Sequence, residues 1–206
     1  MLIASETISQ AWEESIRALL KCENFVSTQR GMRALELQNV LFEIEKPFLK
    51  QKVSSKYQFS QDFIKTYCES IRNSFPGDSI KSRIYEFGGS KVDQYSGVIH
   101  RLKASHDTRR AVISLWDPLA DRRSGHPPCT LVLQFLCRNH RLYLTTMLRS
   151  NDAWLAALPD MIALSEVQKE MASELSLEVG TYSQLSVSYH IYEPDVTIAE
   201  AVFKSE

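Results

Sequence analysis

Residues 126–148 read HPPCTLVLQFLCRNHRLYLTTML. Two apolar runs, 130 to 137 and 141 to 148, flank the polar Arg138-Asn139-His140-Arg141, the pattern of two strands joined by a short hairpin. Directly before the first run, His126-Pro127-Pro128-Cys129 places a cysteine where a buried strand begins, downstream of Arg122 and Arg123. Upstream, Ala111-Val112-Ile113-Ser114-Leu115-Trp116 reads as another buried strand, and Val92, Tyr95, Val98, Ile99 and Leu102 space as a helix before it. Downstream, Met161, Ile162, Leu164, Val167, Met171 and Leu175 predict a long helix ending near Gly180, with a last strand over 182 to 192.

Towards the amino end, Ile8, Trp12, Ile16, Leu19 and Leu20 mark an amphipathic helix within 6–21, and Ala34 to Ile44 a half-buried strand stopping before Pro47. Residues 59 to 73 again suit a helix, broken by Pro76-Gly77-Asp78. Strands and helices that mix without a strict βαβ repeat predict an α+β fold. At 206 residues and 44% apolar composition, one domain over 1–206 is expected.

The charge balance of 24 Lys and Arg against 25 Asp and Glu gives no basic field for general polyanion binding, so phosphate recognition has to come from a few placed arginines. No apolar run approaches the roughly 20 residues of a membrane span, and the acidic opening stretch lacks the plan of a secretion signal, so a cytoplasmic protein is expected. Cys22, Cys68, Cys129 and Cys137 form neither a zinc spacing nor a disulfide framework; no metal is expected, and each thiol should be free. An isolated cysteine is usually a half-buried structural thiol, whereas one near positive charge ionises more readily and becomes a nucleophile.

Context favours the second reading. Thr108-Arg109-Arg110-Ala111-Val112, Trp116-Asp117-Pro118, Pro128-Cys129, Gln134-Phe135, Arg149-Ser150-Asn151-Asp152 and Ser188-Tyr189-His190-Ile191-Tyr192 follow one another in fixed order. This series resembles the thymidylate synthase family, including its nucleotide hydroxymethylases, from about Asp93 to Asp195. The resemblance implies a mixed β-sheet flanked by helices, a sheet-to-sheet homodimer, and 5,10-methylenetetrahydrofolate as one-carbon donor. It implies that the Cys129 thiolate adds to C6 of a pyrimidine nucleoside monophosphate, which makes C5 the nucleophile that takes up the one-carbon unit. Hydride then gives a methyl group, and water a hydroxymethyl group.

The same resemblance assigns the other positions. Arg149 grips the 5′-phosphate and lowers the thiol pKa; Arg109 and Arg110 reach the same phosphate across a two-fold interface; Arg30, before Gly31, is a further phosphate arginine; and Ser150 adds a hydroxyl. Gln134 supports the site from behind, and Asp152 lies near the pyrimidine O2 and the folate pterin. His190 and Tyr192 hold the 3′-hydroxyl from one face of a strand. Arg109-Arg110 could equally end a solvated helix, and Asp152 could cap a turn.

Asp160 stands where thymidylate synthases keep an asparagine that reads uracil. A carboxyl group accepts from the cytosine amino group and shares a proton with N3, but faces uracil O4 acceptor to acceptor. The resemblance is therefore to the deoxycytidylate and cytidylate 5-hydroxymethylases, with helix capping as the alternative role for Asp160. The family's Glu-Leu-Leu-Trp segment is absent, leaving Asp62 or Glu69 as candidates for its glutamate; Phe87 replaces a tyrosine and Thr130 a histidine. Thymidylate synthesis from dUMP, cytidylate methylation and a catalytically silent nucleotide-binding protein remain as other readings.

Overall fold

Thr7 begins the first helix by accepting from Gln10 N while the Gln10 side chain accepts from Thr7 N, a reciprocal cap that satisfies two backbone donors at once. The computed structural model describes residues 1–49, 53–72 and 80–203. In chain order these form β1 (Leu2–Ser5), α1 (Ile8–Leu20), β2 (Phe25–Ser27), β3 (Arg33–Ile44), α2 (Gln61–Arg72) and α3 (Ile80–Tyr85). There follow α4 (Gln94–Ala104), β4 (Ala111–Ser114), α5 (Pro118–Asp121), β5 (Thr130–Arg138), β6 (Arg141–Leu148) and β7 (Asn151–Asp152). The chain closes with α6 (Ala157–Glu174), β8 (Glu178–Tyr192) and α7 (Glu193–Phe203). The helix break expected at Pro76-Gly77-Asp78 lies outside the described residues.

The sheet runs β1-β3-β8-β6-β5-β4, with β2 on β3 and β7 on β8. β1 on β3, β6 on β8 and β7 on β8 are parallel and the rest antiparallel, so the sheet is mixed and, with its helices, gives the expected α+β class. The predicted hairpin closes through Asn139 and His140, both at positive φ (49° and 61°), the two-residue geometry that matches strand twist.

Helices α1, α6 and α7 bury the sheet around Trp12, whose indole is fully covered, meets Tyr57, Trp154 and Phe203 edge-on or tilted, and donates to the Ala153 carbonyl at 2.8 Å. On β8 the buried positions are Gly180, Tyr182, Gln184 and Ser186, then the parity changes and Tyr189 and Ile191 pack into the core. The change occurs opposite Asn39 of β3, held at φ 54°. This switch turns His190 and Tyr192 away from the packing of Tyr189 and into a cleft.

The alternate positions form the other face of the sheet. There Leu2, Leu41, Leu185, Met147 and Val132 stand in register across five strands, exposed or half-buried. They make an apolar row with no buried member.

Two sequence expectations are corrected. The long helix begins at Ala157, four residues early, because Pro159 occupies the first turn, where a missing N–H has no helical partner to lose. Asp160 therefore does not cap it: Asp160 N donates to Ala156 O as the first full turn of the helix. Nor does Gly180 end it; Ser176 at φ 55° follows the helix, and Gly180 lies inside β8, where an added Cβ would stand 3.1 Å from the Leu142 carbonyl and the Tyr143 ring.

Replacing Trp12 by alanine should cost about 4 kcal/mol in chemical denaturation, from the cavity and the lost bond to Ala153 together.

Candidate active site

The Asp160 carboxyl is 6% exposed, and both of its oxygens are met by donors. Tyr67 OH on α2 donates to Oδ1 at 2.8 Å, and Asn151 Nδ2 on β7 donates to Oδ2 at 2.8 Å. Behind Asn151 the bonds continue: its Oδ1 accepts from Gln184 Nε2, whose own Oε1 accepts from Tyr182 OH, which in turn meets Thr146 Oγ1. Burial pushes Asp160 up to about 7, against the pull of the Tyr67 and Asn151 bonds.

Cys129 opens onto the same cleft, about 410 Å³, and so do Arg30, Ser150, Asp152, Asp160, His190 and Tyr192. Seven of the eleven sequence-picked residues are thus together. Arg30 rides at the tip of the β2–β3 turn, over the Tyr192 ring at 5.5 Å, where Gly31 supplies the φ of 73° that the turn needs. His190 is buried, its enclosed Nδ1 has no hydrogen-bond partner among the described residues, and burial pushes its pKa down, while the residue lines the cleft beside Tyr192.

Asp152 shows the turn-capping role: Oδ1 accepts from Trp154 N and Leu155 N at 3.1 and 3.0 Å. Arg149 stands behind the Cys129 loop rather than among the residues lining the cleft; Nε and Nη2 donate to the Pro128 and Pro127 carbonyls at 3.0 and 2.7 Å, so it tethers the loop that carries Cys129. Its charge does draw the thiol down, but burial outweighs it, and the Cys129 pKa is raised overall rather than lowered.

Gln134 also lies away from the cleft, its amide donating weakly to the Arg109 and Ala111 carbonyls on the adjoining edge strand. Arg109 and Arg110 line a separate groove with His100 and Arg101. Asp62 and Glu69 are exposed and outside the cleft, Glu69 lying beside Lys65 at 4.0 Å. Helix α2 instead presents Tyr67, which sequence reasoning passed over, as it did Asn151 and Arg83. The side chain of Arg83 is 5% exposed and binds Asp121 through both oxygens at 2.7 Å, holding that carboxyl below the usual range and fixing the segment between β4 and the Cys129 loop. Tyr67 was findable as one turn of α2 from Phe63 on the apolar side; Asn151 and Arg83 carried no periodic signal.

A family model described as Thymidylate synthase matches residues 18–206. The chain belongs to the thymidylate synthase family. A Methanocaldococcus jannaschii protein named “Putative thymidylate synthase” is 32% identical over 93% of this chain and 90% of its own length. A Methanothermobacter thermautotrophicus protein of the same name is 30% identical over 96% of each. A Bacillus phage SP01 protein named Deoxyuridylate hydroxymethyltransferase is 28% identical over 91% of this chain and 57% of its own. As a thymidylate synthase family member, the chain is of the class that moves a one-carbon unit from 5,10-methylenetetrahydrofolate to a pyrimidine nucleotide. Tyr67, the last of a file of half-buried rings with Phe59 and Phe63 at centroid spacings of 4.9 and 6.0 Å, is the one of the three that lines the cleft, an aromatic surface suited to a flat heterocycle such as the folate pterin. No helix among the described residues is long and apolar enough to cross a membrane.

The raised Asp160 carboxyl sets a sign for stability. Its folded pKa lies above the unfolded value, so its contribution is complete below about pH 4 and is lost as pH rises through about 7. Relative to the parent, Asp160→Asn should therefore gain stability as pH rises from about 5 to about 8.5, by up to a few kcal/mol in urea titrations at each pH.

Proposed function

We propose that this protein is a folate-dependent (deoxy)cytidylate 5-hydroxymethyltransferase. The observation that carries it is that Cys129 and the buried Asp160 line one cleft. In this reading the nucleotide lies with its phosphate at Arg30 and Ser150, its 3′-hydroxyl at His190 and Tyr192, and its C4 edge at Asp160. With a proton on Asp160, the carboxyl donates to cytosine N3 and accepts from the C4 amino group, a fully matched pair. Addition of the Cys129 sulfur to C6 makes N3 more basic, and the Asp160 proton moves to it as C5 becomes the nucleophile. The folate supplies the one-carbon unit at the oxidation level of formaldehyde. Loss of the C5 proton with release of tetrahydrofolate from the new carbon leaves an exocyclic methylene; water adds to it, and departure of the thiolate from C6 with return of the N3 proton to Asp160 completes the product. Tyr67 would face the folate ring, and Asp152 its edge.

A second reading is hydroxymethylation of dUMP. It is favoured by the raised Asp160, which when protonated can also donate to O4, and by the name of the phage relative. Tritium release from 5-tritiated dCMP, CMP and dUMP, with product masses, separates the two; release from dUMP alone sinks the first. Asp160→Asn should lose dCMP turnover by about a hundredfold and gain dUMP turnover, because the amide reverses the match.

The apolar row Leu2-Leu41-Leu185-Met147-Val132 supports a homodimer joined sheet to sheet, and the placement of Arg109 and Arg110 outside their own cleft supports their donation to a partner's phosphate. A mixture of Cys129→Ala with Arg110→Ala, each inactive alone, should then recover activity after subunit exchange, since each mixed dimer retains an intact site. No recovery despite exchange would remove the shared site.

A further inference from the structure

We propose that Tyr67 is a catalytic residue: its hydroxyl lies alongside C5 of the bound pyrimidine and relays the C5 proton to Oδ1 of Asp160, to which it donates at 2.8 Å. This rests on the reading that Cys129 and Asp160 meet one pyrimidine ring, and it holds for cytosine and uracil alike, since both lose the same proton.

The pyrimidine ring triangulates the position. C4 and C6 are the two ring neighbours of C5, so with Asp160 at the C4 edge and Cys129 at C6 the C5–H bond lies between them. Tyr67 is tied to both. Its oxygen is within hydrogen-bond distance of Asp160 Oδ1, the Cys129 sulfur is close enough to act on its hydroxyl electrostatically, and it lines the cleft that holds the two. A hydroxyl bonded to the group at C4 and adjacent to the group at C6 has C5 in front of it.

The other groups of the cleft are committed elsewhere. Cys129 is bonded to C6 at this stage, Arg30 and Ser150 hold the phosphate, and His190 and Tyr192 the 3′-hydroxyl. Asp152 Oδ1 caps the turn at Trp154 and Leu155, and Arg83 is bound to Asp121. Asn151 can only donate, and does so to the far oxygen, Oδ2. Among the described residues, Asp160 is bonded to one hydroxyl of the cleft, that of Tyr67.

Tyr67 does not act as a phenolate, because burial first and the Asp160 charge second hold its proton far above the ordinary range. A neutral hydroxyl takes up a proton only by giving away its own. Asp160 is the receiver: having passed its proton to N3, it is a carboxylate by the time C5 has gained the one-carbon unit. The C5–H bond then breaks, its proton goes to the Tyr67 oxygen, the Tyr67 hydroxyl proton goes to Asp160 Oδ1, and the electron pair becomes the C4–C5 double bond whose electrons expel the folate nitrogen. Water supplies the proton that the departing amine needs and receives the one on Asp160, which leaves the carboxylate ready to take back the proton of N3.

The experiment uses whichever of dCMP, CMP and dUMP the parent turns over. Tyr67→Phe removes the oxygen alone, and its calorimetric affinity for that nucleotide without folate should stay within about threefold of the parent's, because Asp160 keeps its bond from Asn151. With methylenetetrahydrofolate, tritium release from the 5-tritiated nucleotide should fall by about a hundredfold or more, the usual reach of a placed proton carrier. A covalent complex of Cys129, nucleotide and one-carbon unit, still holding its tritium, should accumulate as a mass gain on the peptide that carries Cys129. Tyr67→His, whose ring can move a proton, should regain release that rises with pH through about 6.5. A Tyr67→Phe protein that forms no adduct holds Asp160 in place and does nothing more, which overturns the proposal, as does release at the parent's rate. If Tyr67→Phe does not fold, a folded Tyr67→His protein with neither adduct nor release overturns it. A parent that forms no adduct and releases tritium from none of the three nucleotides removes instead the reading of the cleft beneath it, so the two failures are told apart.

Discussion

Taking a carboxylate out of water is costly unless donors meet it, and the Asp160 carboxyl, almost wholly enclosed, has one donor on each oxygen. Each donor demands its own support. Asn151 is aimed by the parallel pairing of β7 with β8, which sets it opposite Tyr189, and by Gln184 and Ser186 at its back. Tyr67 is aimed by α2, which packs on α6 through Cys68 towards the Pro159 carbonyl and through the aromatic file from Trp12. The first turn of α6, with the Asp160 amide already bonded to Ala156, fixes the carboxyl from its own backbone.

Positive charge is arranged differently. Within one protomer the cleft has Arg30 on a turn and Arg83 bound to Asp121, while Arg149 holds the cysteine loop by two carbonyls. The sulfur is consequently positioned before any ligand arrives, on a residue exposed at the mouth of the cleft. Among the described residues, Arg30 and Arg83 are the cations that line the cleft, and Arg83 is already held by Asp121.

Much of this was legible in the sequence, and the rest was hidden for identifiable reasons. The hairpin of 130 to 148, the capped first helix and the long strands β3 and β8 carry periodicity over many residues, and the structure keeps them. The start of α6 was misplaced because Pro159 reads as a boundary, though a proline in a first turn breaks nothing. β1, β2 and β7 are four residues or fewer and offer no period to detect. Asp62 and Glu69 attracted attention as acids, but on α2 they face solvent, and the side that meets Asp160 carries an aromatic hydroxyl. A tyrosine among phenylalanines reads as packing until its oxygen is seen to have a partner.

The relay beneath the cleft runs from Asp160 through Asn151, Gln184 and Tyr182 to Thr146, fully buried on β6. Every link fixes the direction of the next, because an amide that donates on one side must accept on the other. Drift at Thr146 would reorient the Tyr182 hydroxyl and, link by link, the group that greets the substrate. The set of the Asp160 carboxyl thus depends on a hydroxyl of β6 at the far end of four hydrogen bonds.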